Sequence, residues 1–176
     1  MYSEKVDSRQ LTVVRNQAWV AKWVDNIGES DIITDNLVKS ERENVQEICK
    51  IDLEKYQAVT AKTILTDEVV LTNNRRDHIK ERRGLIFYEK YKTAFAEILM
   101  DPDFIFPDKK NSHSAIAAKH FEQDGRAVNI VVRLVVEGDD PNFKNSIITA
   151  LELGDDRYQQ FIHNNDPVYK KLDNEE

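Results

Sequence analysis

Apolar residues recur at helical spacing from Leu11 to Ile27 (LTVVRNQAWVAKWVDNI), with Asp7 or Ser8 to cap the start and Gly28 to end it. Trp19 and Trp23 stand four apart on one stripe of that helix. Two large aromatics on one stripe more often anchor a helix in a core than dock a partner; their face is also where a homodimer contact is expected. A more polar helix is expected from Ser30 to Ile48, with capping-box spacing at Ser40-Glu41-Arg42-Glu43 that would restart it. Around Lys50 the pattern changes. LEKYQAVTAK (53–62) reads as a short helix, EVVLT (68–72) as a strand, and NNRRDHIKERR (73–83) as a helix entered through a polar turn. YEKYKTAFAEIL (88–99) carries Tyr91, Phe95 and Ile98 at helical spacing, and Asp101-Pro102-Asp103 ends it.

Beyond that proline the spacing shortens to that of strands. FIF (104–106), SAIAAKHFE (114–122), AVNIVVRLVVE (127–137) and NSIITALEL (145–153) are parted by turn formers such as Pro107-Asp108, Asp124-Gly125 and Gly138-Asp139-Asp140-Pro141. Connections this short favour antiparallel hairpins over parallel crossovers. A closing helix (155–163) precedes VYKK (168–171). The pattern predicts an α+β fold: N-terminal helices, then a curved antiparallel sheet of about four strands. Two parts are expected, a helical segment over 1–45 and a second domain over 46–176.

Composition narrows the class. Hydrophobic residues make up 40 % of the 176, enough for a real core. No window approaches the roughly 18 consecutive apolar residues of a membrane span, and MYSEKVDSRQ carries no signal-peptide apolar region, so no membrane partner is expected. The single cysteine, Cys49, excludes an internal disulfide and fits a reducing compartment; a cytoplasmic protein is expected. The net charge of −7 argues against a general nucleic-acid binder, since phosphate contact requires Lys and Arg. The average hides a gradient, however. Residues 1–72 carry 9 basic and 13 acidic groups, 73–133 carry 12 and 9, and 134–176 carry 4 and 10, so only the middle stretch is net basic. Ordinary charge scatter produces such a stretch too.

The candidate chemistry lies in that stretch. The four histidines (78, 113, 120 and 163) form no HExxH, there are no paired cysteines, and His113 and His120 would fall on opposite faces of a continuous strand. No metal site and no cofactor is expected. A Gly-rich phosphate loop and a GxSxG elbow are both missing. What does concentrate is Arg75, Arg76, His78, Lys80, Arg82 and Arg83. Arg75, His78 and Arg82 fall at i, i+3 and i+7 on one helix face. An imidazole moves a proton near neutral pH, and flanking guanidinium forks hold a phosphate and stabilise its developing charge. The bland alternative is a solvated basic helix face.

Taken in order, KIDLEKYQAV, ILTDEVVLTNNRRDHIKERR, YEKYKTAFAEILMDPDFIF, VVRL, NSIIT and NNDPVYKK resemble a family found in phages and prophages. It is described as the phage relatives of the barnase, EndoU, colicin and RelE ribonucleases. The resemblance runs from about Ile48 to Lys171, and RxxHI followed by DPDFI and NSIIT is its specific combination. It implies a helix-plus-antiparallel-sheet fold and metal-independent cleavage of RNA, a toxin-like activity. Arg75 and His78 match the RxxHI motif and Arg82 the arginine after it. Lys119 matches a lysine on the second strand, Arg133 the arginine of the next, and Asn145, Ser146 and Thr149 the NSIIT strand. One departure stands out: the family often has a histidine directly after the helix arginine, where this chain has Arg83.

The expected reaction is transesterification through the ribose 2′-hydroxyl to a 2′,3′-cyclic phosphate. His78, Arg75, Arg82, Arg133 and Thr149 are the expected catalytic set, with Lys119, Ser146, Asn145 and Arg83 binding substrate. Strand alternation puts Ser146 and Thr149 on opposite faces unless a bulge intervenes. RNA is the expected partner, and an immunity or carrier protein would dock through the N-terminal helices. The rival expectation is a non-enzymatic phage structural or protein-interaction module that keeps the fold.

Overall fold

Strand formers dominate the chain beyond residue 44. In the computed structural model, which describes residues 45–172, the strands are β1 (Val45–Lys50), β2 (Glu68–Thr72), β3 (Phe104–Pro107), β4 (Ser114–Phe121), β5 (Arg126–Arg133), β6 (Asn145–Gly154) and β7 (Tyr169–Lys170). They form one seven-stranded sheet in the order β1-β2-β6-β5-β4-β3-β7. Every pair is antiparallel except β2 and β6, which run parallel. The helices are α1 (Leu53–Gln57), α2 (Asn73–Arg83), α3 (Leu85–Tyr91), α4 (Phe95–Met100) and α5 (Asp155–His163). The expected 11–27 helix with Trp19 and Trp23, and residues 30–44 of the next, lie outside the described residues. None of the helices described is long and apolar enough to cross a membrane.

The α+β class holds, while the sheet is larger than the four strands expected and is mixed. Residues 45–48 were expected to close a helix and instead open β1, pairing with β2 from Val45↔Thr72 onward. An edge strand solvated on one side keeps polar residues that periodicity alone assigns to a helix. The expected 88–99 helix is two helices, α3 and α4, joined by a tightened turn in which Ala94 N–H reaches Tyr91 O only three residues back (2.9 Å). The apolar run 127–137 leaves the ladder after Arg133; Leu134, Val135 and Val136 stay buried while the chain crosses towards Ile64.

Helices on both sides explain why β5 is apolar on both faces between its terminal arginines, Asn129 excepted. On one face Val69, Leu71, Ile105, Ala115, Ala117, Val128, Ile130, Val132, Ile147 and Ala150 pack under α1–α4, with Tyr56, Ile79, Phe95 and Leu99 at the centre. Tyr56 Oη donates to Leu99 O at 2.8 Å, tying α1 to α4. On the other face Phe106, Ala118 and Ala127 receive Tyr158 of α5, and Phe161 meets Phe106 edge-on at 4.9 Å between centroids. The alanines matter here: their small side chains let the aromatic residues of α5 approach the sheet. These are called the α1–α4 face and the α5 face below.

Candidate active site

Helix α2 starts without a loop, because Thr72 ends β2 and caps the helix through Oγ1, which accepts from Arg75 N–H (3.4 Å). Ile79 anchors α2 in the core with no exposed surface. The neighbours that fill its polar side are mostly cationic. Arg83 Nε donates to Ala150 O at 3.2 Å and so fastens α2 to β6. Lys80 lies over the Tyr88 ring at 4.8 Å. Arg76 pairs only loosely with the adjacent Asp77, at 3.8 Å. Arg75 and Arg82 are exposed and make no ion pair with any described residue. His78 is half-buried, and its ring makes no hydrogen bond with a described residue.

The helix dipole separates these cations into two kinds. Lys80, Arg82 and Arg83 occupy the last turn, where positive charge is favourable. Arg75 occupies the first turn, which holds no acidic residue. A cation at the positive end of a helix, with no acid beside it, is stabilised by an anion arriving from outside.

Strand β6 carries the second group. Ser146 is opposite Arg133 and Thr149 opposite Val131, with a bulge between them. Val131 and Arg133 alternate with the core residues Ile130 and Val132, so Arg133, Ser146 and Thr149 all belong to the α5 face. The bulge is the condition the sequence left open. Arg133 is already engaged there: its Nη2 bridges both carboxylate oxygens of Asp139 (3.1 and 3.4 Å), and Nη1 donates to Leu134 O. Neither the Ser146 nor the Thr149 hydroxyl bonds a described residue.

Two further expected residues hold structure together. Asn145 is fully buried; its Oδ1 accepts from Val135 N–H and its Nδ2 donates to Thr66 O, both at 2.7 Å. Lys119 donates to Asp101 O (2.9 Å) and Oδ2 (3.0 Å), and lies on the α1–α4 face. The nine candidates therefore sort into an α2 group (Arg75, His78, Arg82, Arg83), a sheet group (Arg133, Ser146, Thr149) and two structural polar residues. Helix α2 packs on the α1–α4 face whereas Arg133, Ser146 and Thr149 belong to the α5 face, so the first two groups lie on opposite faces of the sheet. No hydrogen bond or ion pair joins Arg75, His78 or Arg82 to Arg133, Ser146 or Thr149.

Two other histidines have partners, and the cysteine is shielded. His120 Nε2 is 2.7 Å from Asp155 Oδ1, and its ring stacks on Tyr158. His113 Nδ1 is 2.8 Å from Thr60 Oγ1. Burial pushes the Cys49 thiol up to about 11, which keeps it protonated and a poor nucleophile at neutral pH. Among the described residues no group of three or more His, Cys, Asp or Glu side chains is placed to hold a metal ion. Sequence reasoning missed Asn129 and Arg157, which line a cleft on the α5 face. The available signal was Asn129 itself, the one polar residue inside AVNIVV. Comparison with protein families, curated proteins and solved structures finds no match for this chain.

Proposed function

We propose that this chain is a metal-independent ribonuclease that grips the RNA backbone through α2 and uses His78 for proton transfer. The observation that carries the reading is Arg75 in an acid-free first turn, at the positive end of a helix whose Arg82 is also without a carboxylate partner among the described residues. A phosphodiester is the anion that an arginine pair and a histidine on one helix face would serve best. His78 takes the proton of the ribose 2′-hydroxyl, O2′ attacks phosphorus, and the bond from phosphorus to O5′ breaks. The proton then passes to the departing 5′-oxygen. The products are a 2′,3′-cyclic phosphate and a 5′-hydroxyl, and no oxidant or metal enters the balance. Thr149 and Ser146 face the α5 side of the sheet, away from α2, and take no part in this step. The test is incubation of the purified full chain with total RNA in EDTA, wild type beside His78→Ala. Cleavage that persists under chelation and is lost in the variant is expected; intact RNA with folded wild-type protein would sink the proposal.

A second reading is RNA binding without cleavage, in a module that keeps the fold. It is favoured by Arg83, whose guanidinium is committed to Ala150 O at the position where the resembling family often has a second histidine. Under this reading His78→Ala leaves RNA affinity unchanged, and no cyclic phosphate forms with either protein.

A further inference from the structure

Two cations of α2, Arg76 and Lys80, take no part in the reaction proposed above. They stand four apart and share a helix face, roughly 150° around the axis from Arg75, His78 and Arg82. That face opens on a cleft of about 570 Å³ walled by β1, α2, α3 and α4. Neither cation is firmly paired. The ion pair of Arg76 with Asp77 is loose, at 3.8 Å, and its side chain keeps 31 % of its surface open. Lys80 Nζ lies over the Tyr88 ring and makes no ion pair or hydrogen bond with a described residue. The carboxylates lining the cleft are already engaged: Glu89 pairs with Lys92, and Glu47 with Lys144 at 3.2 Å. Like charges four apart on a helix repel, so Arg76 and Lys80 cost the helix stability until an anion lies between them.

We infer that this cleft binds a small phosphorylated molecule free in solution, a phosphate monoester or a diphosphate, at a site separate from the RNA grip. Two unpaired positive charges match a dianion; a monocarboxylate would satisfy one and leave the other. The guanidinium fork of Arg76 takes two oxygens of a phosphate, and the Lys80 ammonium supplies a compact charge with rotating donors. Gln46 and Thr93, also in the lining, offer neutral hydrogen bonds to the same group. The volume falls in the range of small-molecule sites and exceeds what a bare phosphate fills, so an organic part accompanies it, against Ile48 and Ala96. An RNA strand lying along Arg75 and Arg82 would be on the other flank of α2. The inference therefore stands or falls independently of the RNA reading.

The experiment titrates the full chain with pyrophosphate by isothermal calorimetry, and with a single-stranded RNA oligonucleotide bearing a 5′-hydroxyl by fluorescence anisotropy. Arg76→Gln, Lys80→Gln and the double variant Arg75→Gln, Arg82→Gln are compared with the wild type, and thermal unfolding is recorded for each. Arg76→Gln and Lys80→Gln should each weaken pyrophosphate binding by about tenfold, the scale of one charge-assisted hydrogen bond, and leave RNA affinity within about twofold. The Arg75, Arg82 double variant should bind pyrophosphate as the wild type does. Absence of pyrophosphate binding by the wild type overturns the site, and so does an equal loss in all the variants, which would mean diffuse charge attraction. An Arg76 or Lys80 variant that loses RNA affinity as strongly as pyrophosphate affinity overturns the free ligand and gives the cleft to the RNA path. If either variant melts below the wild type, amide resonances of the wild-type chain decide. Pyrophosphate should move Ile48 and Thr93; movement confined to Asn74 and Arg75 sinks the proposal.

Discussion

Ser146 and Thr149 project from the same side of β6 although three residues separate them, because one faces Arg133 and the other Val131 across the ladder. The extra residue between those pairs is accommodated in a bulge, since Ile147 already faces Val132. Removing Ile148 would leave a regular ladder in which every recorded β5 partner is kept. Removing Ile130 from the opposing strand would turn every side chain on one side of the deletion to the wrong face. The Ile148 deletion is therefore expected to give soluble protein with cooperative thermal unfolding, and the Ile130 deletion is not. Similar melting curves for the two would show that register in β5 and β6 is not set by the pairing described.

Asn145 stabilises two segments that have no strand to pair with. Its amide satisfies Val135 N–H, where the chain has left β5, and Thr66 O, just before β2. Asn145→Ala leaves both backbone groups buried and unpaired, at an expected cost of about 2–4 kcal/mol. Asn145→Asp keeps the acceptor for Val135 N–H and sets a carboxylate against Thr66 O, so it should be no better. Urea denaturation of the purified variants measures both. A loss below about 0.5 kcal/mol in Asn145→Ala would mean that water or rearrangement satisfies these groups.

Such residues mark where the sequence was legible and where it was not. Helices α2 and α5 and strands β2 to β6 follow from periodicity and turn formers, because their burial is one-sided or their ends carry strong punctuation. Strand β1 does not, since an edge strand with solvent on one side keeps a polar run that helical spacing fits equally well. The parallel contact of β2 and β6 joins segments more than seventy residues apart, and no local pattern encodes it. The same limit applies to the site. Arg75, His78 and Arg82 share a helix face by spacing alone, and that much was readable. That Arg133 is held by Asp139, Lys119 by Asp101 and Asn145 by two backbone groups depends on tertiary neighbours. Residue type reveals what a side chain can bond, not what already bonds it.

Acid should loosen two of these locks. Hydrogen bonding from Lys171, assisted by Lys119, holds the Asp101 carboxyl below the usual carboxylate range against an opposing effect of burial. Val136 N–H does the same for Asp139, with Arg133 adding to it and burial again opposing. A carboxyl with a depressed folded value contributes stability that is complete above its unfolded value, near about pH 4, and is lost as pH falls through the folded value. Both side chains are partly exposed, so each contribution is modest. The melting temperature is expected to fall as pH drops below about 4, and the double variant Asp101→Asn, Asp139→Asn should start lower at pH 7 and show a flatter acid limb. An unchanged acid limb in the double variant would assign the loss to other carboxylates.

The cations of α2 make a further prediction through salt. Binding to RNA releases counterions in proportion to the phosphates neutralised, so the logarithm of affinity falls linearly with the logarithm of salt concentration, by roughly 0.7 per contact for a single strand. Arg75 and Arg82 have no carboxylate among the described residues to release first, so each should contribute a full contact. Arg133 is already neutralised by Asp139, and Lys119 by Asp101 and Glu97. Arg75→Ala and Arg82→Ala are each expected to lower the slope by about 0.7, and the pair by about twice that. Lys119→Ala should leave the slope nearly unchanged while lowering the melting temperature, since it removes a tie between β4 and the end of α4. Anisotropy titrations at four or five salt concentrations separate these outcomes. Equal slopes in the wild type and in both arginine variants would place the anion-binding surface elsewhere on the molecule, and α2 would then be a basic helix face with no nucleic-acid role.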